Sequence, residues 1–236
     1  MNTMRKKVAI LISGRGSNMA ALIDAAADRS YPAEIVGVIS DRADALGLGI
    51  AASRGIATQV IAKGDFATKD AHDSAIDKAL VGMGADIVAL AGYMRLFTPG
   101  FVTTWQGRMI NVHPSLLPSF KGLDSHRRAL EAGVRVHGCS VHFVTADMDS
   151  GPIIAQAAVT VRFDDTEERL ASRVLAAEHH LYPLALRLVA EGKARMEGDR
   201  TVLADASGVS ENGEALFSPS AIREAVDLEA LARFTP

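Results

Sequence analysis

The chain has 236 residues, 48% hydrophobic and 22% charged, with a formal net charge of −3. This balance fits one or two globular domains around a sizeable core, and it excludes a disordered chain and a broadly basic nucleic-acid binder. One cysteine, Cys139, excludes an internal disulfide and a Cys-rich zinc module, and no apolar run reaches the roughly 20 residues that cross a bilayer.

Residues 1–7 are basic, but the apolar run behind them is too short for the central region of a signal peptide, so a cytoplasmic protein is expected. That run, Val-Ala-Ile-Leu-Ile at 8–12, reads as a strand buried on both faces of a parallel sheet. The turn Ser-Gly-Arg-Gly-Ser-Asn at 13–18 leads into a helix over 19–27. A second strand at 35–39 closes at Ser40 and Asp41. A helix over 45–54, a short strand at 58–61 and a helix over 67–83 follow. Residues 87–90 form another buried strand, ending in Ala-Gly-Tyr-Met-Arg at 91–95, and 109–113 form a fifth. Strands alternating with helices at this spacing predict an α/β fold, Rossmann-like, with a mostly parallel sheet flanked by helices.

Beyond His113 the prolines at 114 and 118 hold the chain stiff and non-helical. A short helix is expected over 124–132, with strands at 140–144 and 153–161 and a turn between them. Cys139 is expected to open the first of these strands and to pack as a small apolar residue. Asp165 and Glu168 form a capping-box-like pair before a long helix to about residue 190, in which Pro183 should introduce a bend. Residues 195–236 are more polar and rich in turns, and Ser218 with Pro219 could cap a last amphipathic helix through Phe234.

Four places carry possible chemistry. The glycine-rich turn at 13–18, between a buried strand and a helix, aims backbone N–H groups at an anion, and Ser17 and Asn18 add donors. Met19 stands where a dinucleotide fingerprint needs its third glycine, although Asp41 could still hold a ribose; a tight turn without ligand is the third reading. Asn111 and His113, two apart on a strand, project to one face at the end where open α/β sheets bind ligands. An amide and an imidazole there suit an oxyanion and a proton transfer, while an isolated pair of this kind is also a common polar strand end. The turn at 147–152 carries Asp147 and Asp149; it is either a solvated turn or, if a carboxylate reaches His113, a device that favours the charged imidazole. Glu178 sits at the edge of an apolar helical stripe, either solvated or facing a cationic or hydroxyl-bearing ligand. The remaining histidines, at 72, 126, 137, 142, 179 and 180, show no metal-ligand spacing.

Taken together, the stretches at 13–18, 91–97, 111–118, 140–144 and 147–153 resemble, in this order, the phosphoribosylglycinamide formyltransferases over roughly residues 6–198. The resemblance implies the formyltransferase fold, with a catalytic domain at 1–198 and an appendage at 199–236 packed on it. It implies 10-formyltetrahydrofolate as co-substrate, glycinamide ribonucleotide as acceptor in purine biosynthesis, direct attack through a tetrahedral intermediate, and no metal. Asn111, His113 and Asp149 match the catalytic trio. Gly16, Ser17 and Asn18 match the loop gripping the ribose phosphate, and Leu175, Ala176, Ala177 and Glu178 match the segment beside the nucleotide. Met94, Arg95, Leu96 and Phe97, together with Thr145, Ala146, Asp147, Met148 and Asp149, match the folate pocket, which Asn111 also touches. Lys69 falls where the family can place a basic residue for the folate, and Ser150 stands where a family glycine is common. The implied partners are the two small substrates, with neither nucleic acid nor membrane, in a monomer or homodimer. A formyltetrahydrofolate hydrolase, which carries an N-terminal regulatory domain, is one alternative, and a non-catalytic phosphosugar-binding protein is another. A methionyl-tRNA formyltransferase needs an RNA-binding domain for which the residues after 198 are too few.

Overall fold

The structure is a computed structural model that describes residues 4–204, 210–212 and 215–218. In chain order the elements are β1 (Lys6–Ile12), α1 (Ser17–Ala27), β2 (Ala33–Ser40), α2 (Leu46–Ser53), β3 (Thr58–Val60), α3 (Lys69–Gly82), β4 (Ile87–Leu90), α4 (Pro99–Thr104) and β5 (Met109–His113). They continue with α5 (Ser125–Glu131), β6 (Val136–Phe143), β7 (Ile153–Thr160), α6 (Glu167–Ala190), β8 (Ala194–Glu197), β9 (Arg200–Leu203), β10 (Ser210–Asn212) and β11 (Ala215–Ser218).

Nine strands form one sheet in the order β10-β11-β7-β6-β5-β4-β1-β2-β3. The half from β3 to β5 is parallel, and from β5 onward each described pair is antiparallel. This is the mostly parallel α/β sheet that the alternation of elements predicts. β1 explains how one apolar run serves two faces. Val8, Ile10 and Ile12 join the core under α1 and α6, with Leu22, Leu170, Val174 and Leu181. Ala9 and Leu11 join the opposite core under α3 and α4, with Ile76, Leu80, Phe101 and Trp105. Alternate side chains of a strand point to opposite faces, so a strand buried on both sides must be apolar throughout. Tyr182, buried in α6, donates its hydroxyl to the carbonyls of Leu90 (2.9 Å) and Ile110 (3.2 Å) and so pins the long helix over β4 and β5.

Several boundaries differ from expectation. α1 starts at Ser17 rather than residue 19, because Gly16 takes a left-handed N-cap conformation with φ 76°. β6 starts at Val136, paired with Thr160, so Cys139 lies inside the strand instead of opening it. The cap of α6 is Thr166, whose hydroxyl accepts from Arg169 N; Asp165 is engaged elsewhere, accepting from Arg162 N and from the Arg173 guanidinium. The long helix itself is as expected, ending at Ala190 with Pro183 inside it. α4, the strands β8 and β9, and the strands β10 and β11 have no counterpart in the sequence reading. α4 is a six-residue helix capped by Thr98 with Pro99 at its first turn, and β8–β9 form a small separate hairpin. The helix expected from Ser218 to Phe234 lies outside the described residues apart from Ser218, which ends β11.

Candidate active site

The C-terminal ends of β1, β4 and β5 open onto three connected segments. β1 delivers the turn at 13–18, β4 the segment at 91–98, and β5 the stiff segment at 114–124. The first two are tied together, since Met94 N donates to the Ser13 hydroxyl (2.9 Å) and Ser13 N to the Gly92 carbonyl (3.2 Å). The third is held from behind: the Ser140 hydroxyl donates to Ser115 O and accepts from Leu117 N, while Gln156 Nε2 donates to Leu117 O.

Asn111 and His113 share a face of β5 as predicted, and β6 completes the group. Asn111 lies opposite His142 in the antiparallel register, and His113 opposite Ser140. His142 Nδ1 is 2.8 Å from the Phe143 carbonyl, so that nitrogen carries the hydrogen and Nε2 is left as the acceptor. Asn111 Nδ2 donates to it at 3.2 Å, which orients the amide. Burial lowers the pKa of His142 and keeps it neutral, so the 3.7 Å approach of Asp149 Oδ1 to Nε2 is not an ion pair. The sequence reading set His142 aside with the other histidines. The signal for it was Ser140 and His142, polar residues two apart in the expected strand at 140–144, opposite His113 and Asn111.

His113 is nearly enclosed, 6% exposed. Its Nδ1 lies 3.4 Å from Asp149 Oδ2, and its Nε2 is 3.1 Å from the Phe120 carbonyl. Asp149 is therefore the turn carboxylate that reaches His113; Asp147 is exposed. Asp149 Oδ2 also accepts from Gly122 N at 2.9 Å, and Lys121 Nζ donates to the Ser150 hydroxyl at 2.7 Å. The segments at 120–122 and 147–150 thus fix each other around the imidazole. The non-glycine residues with left-handed backbone among those described are Phe120 (φ 54°), Asp124 (φ 56°) and Asp149 (φ 49°). Such conformations cluster where a fold holds side chains for function.

At the other end of the crest, α1 begins directly after Gly16 and has no side-chain cap on its first-turn N–H groups. An anion is the natural partner for such a terminus. Asn18 Nδ2 donates to Glu178 Oε2 at 2.7 Å, joining the turn to α6, and the buried Asn18 Oδ1 has no protein partner. Glu178 is not a solvated helix-edge residue: it is 5% exposed, and burial pushes its pKa up to about 7 against the lowering effect of the Asn18 bond. Of its neighbours, Leu175 is half-buried, while Ala176 and Ala177 line a cavity of about 250 Å³ against Val159, Arg173, His180, Ala215 and Phe217.

Along 93–97 the side chains alternate. Tyr93 and Phe97 are buried and stacked, whereas Met94 and Leu96 are 67% and 58% exposed. Met148, on the turn that carries Asp149, is 49% exposed. Arg95 points inward: its guanidinium meets Asp73 at 2.9 Å, contacts His72 and donates to Lys69 O, and Asp73 Oδ2 accepts from Thr98 N. Lys69 Nζ donates to the Phe97 carbonyl at 2.9 Å. Both basic side chains therefore brace the segment at 94–98. Thr145 donates to Asp147 O, and Ala146 is exposed on the same turn.

Three comparisons bear on what this crest does. Residues 6–186 match the family described as Formyl transferase. Among curated proteins, the chain is 43% identical over 189 residues to the phosphoribosylglycinamide formyltransferase of Escherichia coli K12, covering 80% of this chain and 89% of that protein. It is 50% identical over 192 residues to the trifunctional purine biosynthetic protein adenosine-3 of Bos taurus, covering 81% of this chain but 19% of that protein, so it spans only a small part of these longer relatives. Among solved structures, phosphoribosylglycinamide formyltransferase from Brucella melitensis superposes with a TM-score of 0.77 at 57% identity, covering 79% of this chain and 96% of that one. Glycinamide ribonucleotide transformylase 1 from Symbiobacterium toebii superposes with a TM-score of 0.83 at 46% identity, covering 85% and 95%.

Proposed function

The chain belongs to the formyl transferase family, and on that basis we propose that it transfers the formyl group of 10-formyltetrahydrofolate to the amine of glycinamide ribonucleotide in purine biosynthesis. The observation that carries this reading is the constellation of Asn111, His113, His142 and Asp149 at the end of β5, on the same sheet crest as an uncapped, glycine-started helix. The first supplies groups for acyl chemistry, and the second an anion site for a phosphorylated acceptor.

The substrate amine attacks the formyl carbon, giving a tetrahedral oxyanion, and the C–N10 bond then breaks as N10 takes a proton. Asn111 has one amide N–H committed to His142, which aims the amide and leaves its second N–H for the oxyanion. His113 is the second stabiliser and the proton donor. Asp149 holds the charged imidazole in place and, with a water, relays the proton. Gly16, Ser17 and Asn18 grip the ribose phosphate, and Leu175 to Glu178 flank the nucleotide. Met94 to Phe97 and the turn at 145–149 form the folate walls. Met94, Leu96 and Met148 offer the exposed apolar surface that a pterin ring needs, while Arg95 and Lys69 act by bracing the wall. Residues 1–198 form the catalytic unit, with 199–236 appended to it; the pairing of β11 with β7 supports that packing. Among the described residues no helix is long and apolar enough to cross a membrane, in keeping with a cytoplasmic enzyme of small substrates.

The test is to mix the protein with 10-formyltetrahydrofolate, with and without glycinamide ribonucleotide, and follow loss of the formyl group. Turnover that depends on the nucleotide is expected. Equal turnover without it identifies a hydrolase, and nucleotide binding without turnover identifies a binding protein.

A further inference from the structure

Gly47, in the first turn of α2, contacts the glycine-rich turn from the side away from its own helix axis. α2 has no side-chain cap: Ala45 precedes it in extended conformation. The Gly47 N–H instead donates to the Gly14 carbonyl at 3.0 Å. Carbonyl and N–H of one trans peptide point in opposite directions, so this bond also turns the Arg15 N–H away from α2. The approach is close enough to exclude any side chain. A Cβ on Gly47 would lie 2.6 Å from Ile12 Cδ1 and 3.2 Å from both Gly14 O and Gly16 Cα. A Cβ on Gly16 would lie 2.8 Å from Gly47 Cα. Gly49, two residues further along the same helix, has nothing within 4 Å of its Cβ position. The two glycines of α2 therefore differ in kind: one is exposed, and the other is buried against the turn.

We propose that Gly47 is a positioning residue for the phosphorylated substrate: by capping α2 with Gly14 O and carrying no side chain, it seats the turn at 14–18 at the depth where the α1 terminus meets the anion. The inference rests on reading that turn as the phosphate site. Gly47→Ala improves helix propensity, so a glycine with no other duty would be replaced at no cost. Here the added methyl pushes the turn outward by a few tenths of an ångström. The expected result is a KM for glycinamide ribonucleotide raised on the order of tenfold, as displacements of binding groups produce, with kcat within about twofold and the folate KM unchanged. Inorganic phosphate, as a competitive inhibitor, weakens in parallel. Gly49→Ala serves as the control and leaves both KM values where they were.

Ile12→Val/Gly47→Ala removes the nearest clash, the one with the strand, and keeps the clash with the turn. It retains the raised nucleotide KM, and it carries the same comparison if Gly47→Ala alone fails to fold. An unchanged nucleotide KM in Gly47→Ala, a normal KM in the double variant, or a folate KM that rises equally overturns the proposal. Asn18→Ala is measured alongside. If it raises the nucleotide KM while Gly47→Ala does not, only the role of Gly47 falls. If it too leaves that KM unchanged, the phosphate reading falls and takes the Gly47 proposal with it.

Discussion

Both ring nitrogens of His113 face oxygen acceptors, the Asp149 carboxylate and the Phe120 carbonyl, and only the imidazolium can donate to both. His142, its neighbour across the strand pair, is held neutral by burial. His113→Ala and Asp149→Ala should each lower kcat by at least about a hundredfold, the usual scale of general-acid and oxyanion contributions, in steady-state assays of the folded variants. Asn18→Ala should raise the nucleotide KM more than it lowers kcat, since the phosphate is remote from the bond being made. Glu178 sets a pH dependence. Its pKa in the fold, about 7, lies above the ordinary carboxylate value of 4.5, so the folded chain binds the extra proton between those two values. Stability from this residue is greatest below about pH 4.5 and is lost as pH rises towards 7. Glu178→Gln keeps an acceptor for Asn18 without the charge. It should be more stable than the parent at pH 8, by up to about 3 kcal/mol, and show no gain at pH 4, measured by denaturant unfolding at both pH values.

At the scale of elements, the wall at 94–98 depends on α3. Asp73, 4% exposed, holds Arg95 with one oxygen and Thr98 N with the other. Asp73→Ala strands a buried guanidinium and frees the Thr98 N–H at the end of the wall, so a loss of about 3–5 kcal/mol is expected in thermal or urea unfolding, together with a raised folate KM. This pairing also marks where sequence reasoning stops. The runs at 8–12 and 87–90 declare themselves as strands because burial on both faces demands uninterrupted apolar residues. The partner of Arg95 does not declare itself, since Asp73 lies on another element and looks like any helix carboxylate. Likewise Glu178 reads as solvated until α1, 160 residues away in the chain, packs over it and brings Asn18 within 2.7 Å. α4 escaped notice because six residues are too few for periodicity, although Thr98 and Pro99 are a start signal that could have been used. The β8–β9 hairpin is polar and lies off the main sheet, so no alternation marked it.

For the whole molecule, the edge of the sheet beyond β7 is closed by β11, and Phe217 is buried there at 4% exposure in the core under α6. Phe217→Ala should cost about 3 kcal/mol, read as a lowered urea midpoint with an unchanged slope. The sheet order has one more consequence. β4 lies between β1 and β5, so the turn after β1 and the imidazole at the end of β5 are two strand spacings apart, about 10 Å. The backbone ladder makes that interval rigid. The protein is in this sense a gauge: a molecule engages both ends at once only if its anion and its nucleophile are separated by a matching span. Under the proposed function, free phosphate supplied together with glycinamide should not stand in for the joined compound, because neither half reports its distance from the other.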